Sequence, residues 1–328
     1  MKCFASILGI GVIGSVIAFE SFAHSGSTAA HYAQPLAQTP STPRVSAEFQ
    51  PEVSQLAATG LQLKEAVEAS LDGHSKHLAA IFERTGSKDL LQRFEFRIFE
   101  SDGQATKTIF RRAEFVFSFG ANGSSKLNAT DINGDGLKEI IVQSSSGGNC
   151  WSCNPTEIYR VSNHKAELIA AAPIRRIADL NGDGIVELLT TDARWESYGD
   201  LSHAASPFAV MIYAWKDGKY VYASRDFAVF YKEEIDRLRT SVEEGKADIN
   251  ADDFSDEGYI GSALSLAITY AHAGEIELGI KELETLLNSN AKSAAQKKRR
   301  AAILEDFRNG ESAKKLRMMK YGDPLPLG

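Results

Sequence analysis

The sequence lacks any surplus of positive charge, and it lacks the short motifs that mark several enzyme classes. Its formal net charge is −7, which argues against a nucleic-acid partner because phosphate binding needs clustered Lys and Arg. It contains no Gly-x-Ser-x-Gly, no phosphate-binding loop and no His-Glu-x-x-His. The residues therefore give no direct support for a serine hydrolase, a nucleotide-dependent enzyme or a zinc peptidase.

Long apolar runs are absent except at the N-terminus, which has the pattern of a secretory signal. Lys2 precedes an apolar stretch over residues 4–19, and Ser21, Phe22 and Ala23 form a small-x-small cleavage site. We therefore predict a signal peptide over residues 1–23, cleavage after Ala23, and a periplasmic or secreted protein without an integral membrane span after cleavage. An uncleaved anchor is the alternative, although the apolar run is short for a span.

Cysteine is also scarce, with three residues in the whole chain. Cys3 lies in the predicted signal, so the mature chain keeps only Cys150 and Cys153. Two cysteines at close spacing in an exported protein predict a disulfide. A redox-active dithiol would place the first Cys at a helix N-terminus, whereas this Gly-, Asn- and Pro-rich segment lies between predicted strands. A structural disulfide is therefore favoured.

The hydrophobic period divides the rest of the chain. Residues 24–58 have no apolar period and predict a disordered linker, followed by a short amphipathic helix over residues 61–71. Residues 59–224 are rich in strand signals, about ten or eleven strands in all, including a hairpin with its turn at Asp217 and Gly218. Residues 225–328 change to a helical period. We predict an α+β multidomain protein, with an antiparallel β-domain followed by a small C-terminal α-helical domain.

The most informative pattern is a nine-residue acidic loop that occurs twice, 48 residues apart. The first loop covers residues 131–139 and the second covers residues 179–187. In both, positions 1, 3, 5 and 9 carry side-chain oxygens, position 6 is Gly, and an apolar run follows. Alternate side chains of such a loop point inward, and position 7 supplies a backbone carbonyl. Three carboxylates and an amide favour Ca²⁺ over softer metals.

The residues around these loops do not match an EF-hand, which needs flanking helices and a bidentate Glu at position 12. Position 12 is Val142 in the first loop and Thr190 in the second, and the apolar runs are typical of strands. The alternative is a pair of hairpin turns that bind nothing, because Asn-Gly and Asp-Gly form turns by themselves. Two copies, each followed by a strand, favour calcium.

The pattern Asp-x-Asn-x-Asp-Gly-x-x-Glu before a buried strand resembles the FG-GAP/VCBS repeats of integrin α-subunits and many exported bacterial proteins. The resemblance implies blade-like antiparallel units of a β-propeller with Ca²⁺-binding loops. The family usually has Asp at position 9, where this chain has the longer Glu. The implied ligands, with carbonyls at position 7, are Asp131, Asn133, Asp135, Leu137, Glu139, Asp179, Asn181, Asp183, Ile185 and Glu187. Ten or eleven strands fill fewer than three four-stranded blades, whereas propellers have about four to eight blades. We therefore expect a partial propeller or a compact β-domain that shares the loop.

Two features of the C-terminal half have more than one interpretation. A third loop over residues 248–256 has the same spacing of oxygens but no Gly at position 6, and an acidic helix entry is favoured over a metal site. Further on, apolar and small residues are spaced as in one tetratricopeptide-like helix pair: Leu266, Ala267, Tyr270, Gly274, Gly279 and Leu283. A generic helical hairpin is equally consistent. The basic run at residues 297–300 is more typical of a solvated helix face than of a binding patch.

One further loop carries groups that glycosidases use, namely Trp195, Glu196, Tyr198 and His203. No second element of a catalytic motif accompanies it, so a packed loop is favoured. The leading hypothesis is an exported, calcium-binding, non-catalytic module whose helical part contacts a protein partner. The alternative is a cell-surface or periplasmic carbohydrate-binding protein or glycan-acting hydrolase, with a surface glycan as its ligand.

Overall fold

The computed structural model describes residues 43–89, 93–115, 127–144, 150–318 and 320–326. The predicted signal peptide and the first part of the predicted linker lie outside these residues. Over these residues the fold is α+β, with twelve strands in three antiparallel four-stranded sheets, one α-helix before them and five α-helices after them. Among the described residues the sheets do not close into a barrel or a ring of blades.

Each sheet is built from four strands that are consecutive in the chain. The first contains β1 (Leu61–Ala69), β2 (Lys76–Arg84), β3 (Phe94–Ser101) and β4 (Thr106–Phe115). The second contains β5 (Leu127–Thr130), β6 (Glu139–Gln143), β7 (Thr156–Ser162) and β8 (Lys165–Ala172). The third contains β9 (Ile174–Ala178), β10 (Glu187–Thr191), β11 (Val210–Lys216) and β12 (Lys219–Tyr222).

The two acidic loops occupy equivalent places in the second and third sheets. The first loop joins β5 to β6, and the second joins β9 to β10. In each case the loop connects the first strand of a sheet to the second, and position 9 is the first residue of the second strand. The sequence repeat is therefore also a structural repeat.

The second sheet packs against the first sheet on one face and against the third on the other. This arrangement explains the unbroken apolar run after the first loop. Successive side chains of a strand point to opposite faces. On β6, Ile140 and Val142 pack in a cluster with residues of the first sheet, including Phe96. Ile141 packs in a second cluster with the third sheet, including Leu188. The strand is buried on both faces, so both faces are apolar.

Two local predictions near the start of the described chain were wrong. Residues 61–69 form β1 rather than a helix, because the apolar strand β2 offers a full pairing edge, beginning with Leu61 opposite Arg84. The second correction concerns the end of the predicted linker, where helix α1 (Gln50–Ala58) forms. Phe49, just before it, is fully buried beside Phe82 and Phe99. That apolar contact orders a segment whose composition alone suggested disorder.

Five helices follow β12, as the change of period predicted. They are α2 (Ala228–Gly245), α3 (Glu257–His272), α4 (Ile276–Leu287), α5 (Ala294–Asn309) and α6 (Glu311–Met318). Within the described chain, none of the helices has the length and apolarity needed to cross a membrane. Helices α3 and α4 form a closely packed hairpin. At Gly279 the approach leaves no room for a side chain, because a Cβ there would lie 2.7 Å from the Ala267 carbonyl oxygen. Helix α2 ends at Gly245 with φ −62°, and a Cβ on Gly245 would lie 3.3 Å from Tyr259 Cα.

Candidate metal centre

The first loop folds around its own acidic side chains. The carboxylate of Asp131 accepts backbone N–H bonds from positions 4 and 6, at 2.8 and 2.9 Å. The amide oxygen of Asn133 accepts the N–H of position 5 at 2.9 Å, and the carboxylate of Asp135 accepts that of position 7 at 2.8 Å. Gly134 and Gly136 have φ of 75° and 84°, a region that favours glycine. The side chains at positions 1, 3 and 5 are thus held by the loop backbone.

The second loop repeats the same bonds. Asp179 accepts the N–H groups of positions 4 and 6 at 2.6 and 2.9 Å. Asn181 accepts from position 5 at 3.0 Å, and Asp183 accepts from position 7 at 2.8 Å. Two sequences 48 residues apart therefore adopt one backbone-to-side-chain pattern. Within each loop the predicted residues at positions 1, 3 and 5 are held by these backbone bonds, but among the described residues neither loop places three acidic ligand atoms within 4.8 Å of one another.

The two glutamates at position 9 are the most unusual groups of the site. Glu139 is 0% exposed and Glu187 is 1% exposed. Glu139 accepts a bond from the Ile132 N–H at 3.1 Å and one from Asn133 Nδ2 at 2.7 Å. Glu187 accepts the Leu180 N–H at 2.8 Å. Neither carboxylate forms an ion pair with a cationic side chain anywhere in the described residues.

Burial shifts the protonation of these two carboxyl groups. It raises the pKa of Glu139 and of Glu187 to about 7, against a backbone N–H bond that favours ionisation. The aspartates at positions 1 and 5 of the same loop raise the pKa further by charge repulsion. The two aspartates of each loop thus act electrostatically on one buried glutamate.

The donor set suits a hard divalent cation. Each loop offers two aspartates, one glutamate, one amide oxygen and the residue at position 7, which is Leu137 in the first loop and Ile185 in the second. Oxygen ligands of this kind and number suit Ca²⁺, whereas Zn²⁺ and softer metals prefer nitrogen and sulfur. The residues present thus fit calcium better than a transition metal.

The two loops also touch each other, which the sequence did not predict. The Val186 N–H donates to the Ile132 carbonyl at 3.0 Å. A Cβ at Gly134 would lie 3.1 Å from Ile185 Cγ1. The hydroxyl of Tyr220, on β12, lies 3.4 Å from both the Ile132 and the Val186 carbonyl oxygens. No local signal marks Tyr220, because its role depends on how the sheets pack.

The third loop, residues 248–256, is held by side chains of α5. Gln296 Nε2 donates to the carbonyls of Asn250 and Asp252 at 3.0 and 2.7 Å. Asp256, at position 9, is fully buried but pairs with Arg300 at 2.7 Å and also with Arg299. This loop is a helix entry closed by α5, as favoured from the sequence. The basic run is only partly solvated, since Arg300 is buried in this ion pair.

The candidate glycosidase residues do not converge on an open cleft. Trp195 is fully buried, donates to Asp192 at 2.8 Å and stacks on Phe307. The Tyr198 hydroxyl donates to Asp306 at 2.7 Å. Glu196 accepts the Trp151 N–H at 2.8 Å, with His203 Nδ1 at 3.4 Å. These contacts pack the loop between the helices and the segment at Cys150 and Cys153, which lie at disulfide-bonding distance.

Another acidic and histidine cluster lies at the edge of the first sheet. Asp72, His77 and Glu100 place possible ligand atoms within 4.8 Å of one another. The Leu71 N–H donates to His77 Nδ1 at 3.3 Å, and His77 Nε2 lies 3.9 Å from Asp72 and 3.6 Å from Glu100. Burial lowers the pKa of His77. The Glu100 carboxylate also pairs with Lys107 and hydrogen-bonds His164. In this cluster Glu100 has cationic neighbours, unlike the glutamates of the two loops, and His77 Nε2 is buried without a hydrogen-bond partner among the described residues.

Comparison of the chain with models of known protein families gives no match, and a search of curated proteins gives no match either. Function is therefore inferred from the geometry of the two loops.

Proposed function

We propose that the protein binds two calcium ions, one in each acidic loop, and that the ions stabilise the β-domain. The observation that carries this proposal is the pair of buried glutamates without cationic partners, Glu139 and Glu187. An ionised carboxylate taken out of water costs several kcal/mol unless a cation or enough hydrogen bonds offset it. A calcium ion held by positions 1, 3, 5, 7 and 9 supplies that charge.

The third loop supports this reasoning as an internal comparison. Its position 9 acid, Asp256, is as buried as Glu139, yet two arginines neutralise it. Its backbone carbonyls bind the amide of Gln296. The same spacing of oxygens thus occurs once with protein counter-charges and twice without them. Of the three loops, the two without cationic side chains at position 9 are the ones that need a metal ion to neutralise the buried acid.

On a broader scale we propose an exported, non-catalytic binding module of FG-GAP/VCBS type, with sheets related to propeller blades. The equivalent placement of the loops in two four-stranded sheets supports the blade comparison. The predicted signal peptide and the pairing distance of Cys150 and Cys153 support an oxidising compartment. The internal contacts of Trp195, Glu196 and Tyr198 favour a binding role over glycan hydrolysis. The helical part would contact a protein partner.

Thermal melting of the full chain with calcium and with chelator tests the proposal. At calcium about ten times the dissociation constant, each ion adds about 1.4 kcal/mol of stability, so chelation should lower the melting temperature. Asp135→Ala and Asp183→Ala should each remove at least about half of the difference. Asp252→Ala, at the same position of the third loop, is the matched control and should leave the difference unchanged. Identical wild-type curves with and without calcium would reject calcium binding.

A further inference from the structure

We infer that the two loops form one coupled two-ion unit that binds calcium with positive cooperativity, and that Tyr220 is the positioning residue that joins them. This inference rests on the proposed calcium function. It concerns how the two sites affect each other, a property that neither loop has alone.

The direct contact between the loops involves residues placed between proposed ligands. Ile132 lies between Asp131 and Asn133, and its carbonyl accepts the Val186 N–H at 3.0 Å. Val186 lies between positions 7 and 9 of the second loop. A change in the backbone of either loop therefore passes through one hydrogen bond to the ligand-bearing backbone of the other.

Two further contacts leave the loops little room to move independently. A Cβ at Gly134 would lie 3.1 Å from Ile185 Cγ1, so the first loop approaches the second at van der Waals distance. The Tyr220 hydroxyl lies 3.4 Å from the carbonyl oxygens of both Ile132 and Val186, and Tyr220 is 1% exposed. The buried hydroxyl thus faces a carbonyl oxygen of each loop.

These contacts determine the sign of the coupling. The carboxylates at positions 1, 5 and 9 repel one another, so a loop without its ion is under electrostatic stress. The first ion orders one loop and, through the shared contacts, holds the other in its binding geometry. The second ion then has less conformational freedom to remove, which is positive cooperativity. Repulsion between the two ions acts in the opposite direction, but the six carboxylates outweigh the four positive charges of two calcium ions.

Calcium titration of the full untagged chain by calorimetry measures the coupling. Wild type should bind two ions with a Hill coefficient above 1. In Asp183→Ala, which disables the second loop, the first loop should bind calcium about 5-fold or more weakly than it does in wild type with the second loop filled. Tyr220→Phe keeps every proposed ligand and should bring the Hill coefficient towards 1. Tyr213→Phe is the matched control and should match wild type, because the hydroxyl of this buried tyrosine on β11 bonds the Met211 sulfur at 3.9 Å rather than a loop residue.

The outcomes separate this inference from the proposed function. Two ions bound with a Hill coefficient of 1, and a first loop unaffected by Asp183→Ala, would overturn the coupling and leave calcium binding intact. Equal loss of cooperativity in Tyr220→Phe and Tyr213→Phe would overturn the role of Tyr220. Absence of any calcium-dependent heat would reject the calcium function itself, and the coupling with it.

Discussion

The buried glutamates predict an unusual pH dependence of stability in calcium-free protein. In the folded state the pKa of Glu187 is about 7, raised from 4.5 by burial. Between these two values the folded carboxyl holds a proton that the unfolded carboxyl has released. Stability therefore falls as pH rises through this window, and it is lowest above about pH 7. This is the opposite of the usual behaviour of a carboxylate held in an ion pair.

The expected magnitude follows from the same shift. Raising one carboxyl pKa from 4.5 to about 7 costs roughly 3 kcal/mol once the group is ionised in both states. Glu139 has the same shift, so the two groups together should lower stability by roughly 5 kcal/mol between pH 5 and pH 8. A typical domain has only about 5–15 kcal/mol in total.

Glu187→Gln isolates one of these groups. The glutamine is neutral at every pH and keeps an oxygen to accept the Leu180 N–H, the bond that Glu187 accepts at 2.8 Å. The new amide NH2 group has no hydrogen-bond acceptor there among the described residues, but the resulting loss of stability does not change with pH. Urea unfolding in calcium-free buffer at pH 5, 6, 7 and 8 should therefore show about half of the wild-type loss of stability. Saturating calcium should remove most of the wild-type pH dependence.

A matched surface variant controls for the general effect of removing an acid. Glu167→Gln removes an exposed glutamate on β8 that pairs with Arg160, and its pH dependence should equal that of wild type. The reasoning fails if calcium-free wild type is equally stable at pH 5 and pH 8. It also fails if Glu187→Gln and wild type lose the same stability over that range.

Three other predictions follow from separate parts of the molecule. Gly279→Ala should destabilise the protein by about 1–3 kcal/mol in urea unfolding, because the added methyl group meets backbone at 2.7 Å. The control Gly258→Ala should be neutral or stabilising, because nothing lies within 4 Å of its added methyl group. Thiol titration of the unfolded mature protein should find no free thiol at Cys150 or Cys153, and two free thiols would exclude the disulfide. N-terminal sequencing of the native protein should begin near His24, and an intact Met1 in the membrane fraction would instead indicate an anchor.

The local geometry of the loops was predictable from sequence because it depends on short-range spacing. Oxygens at alternate positions and glycines that allow positive φ fix how residues 131–139 and 179–187 fold, whatever surrounds them. The hairpin between β11 and β12 was predictable for the same reason, and Asp217 and Gly218 have φ of 50° and 82° there. These features need no knowledge of the rest of the chain.

Features that depend on packing were not predictable. β1 resembles an amphipathic helix until β2 is present as a pairing edge. The burial of Glu139 and Glu187 depends on how the second and third sheets meet, and so does the position of Tyr220 between the loops. The neutralisation of the third loop depends on α5, which lies about 40 residues further along the chain, as the Arg300–Asp256 pair shows. One sequence has no local signal for such distant contacts.

The measurement that tests the calcium claim most directly is the stoichiometry of binding to the full chain at neutral pH. Calorimetric titration should give two calcium ions per chain for wild type and for Asp252→Ala. It should give one for Asp135→Ala or Asp183→Ala, and none when both substitutions are combined. Wild-type protein that is folded and releases no heat on addition of calcium would contradict the account, and the two loops would then be turns with buried, protonated glutamates.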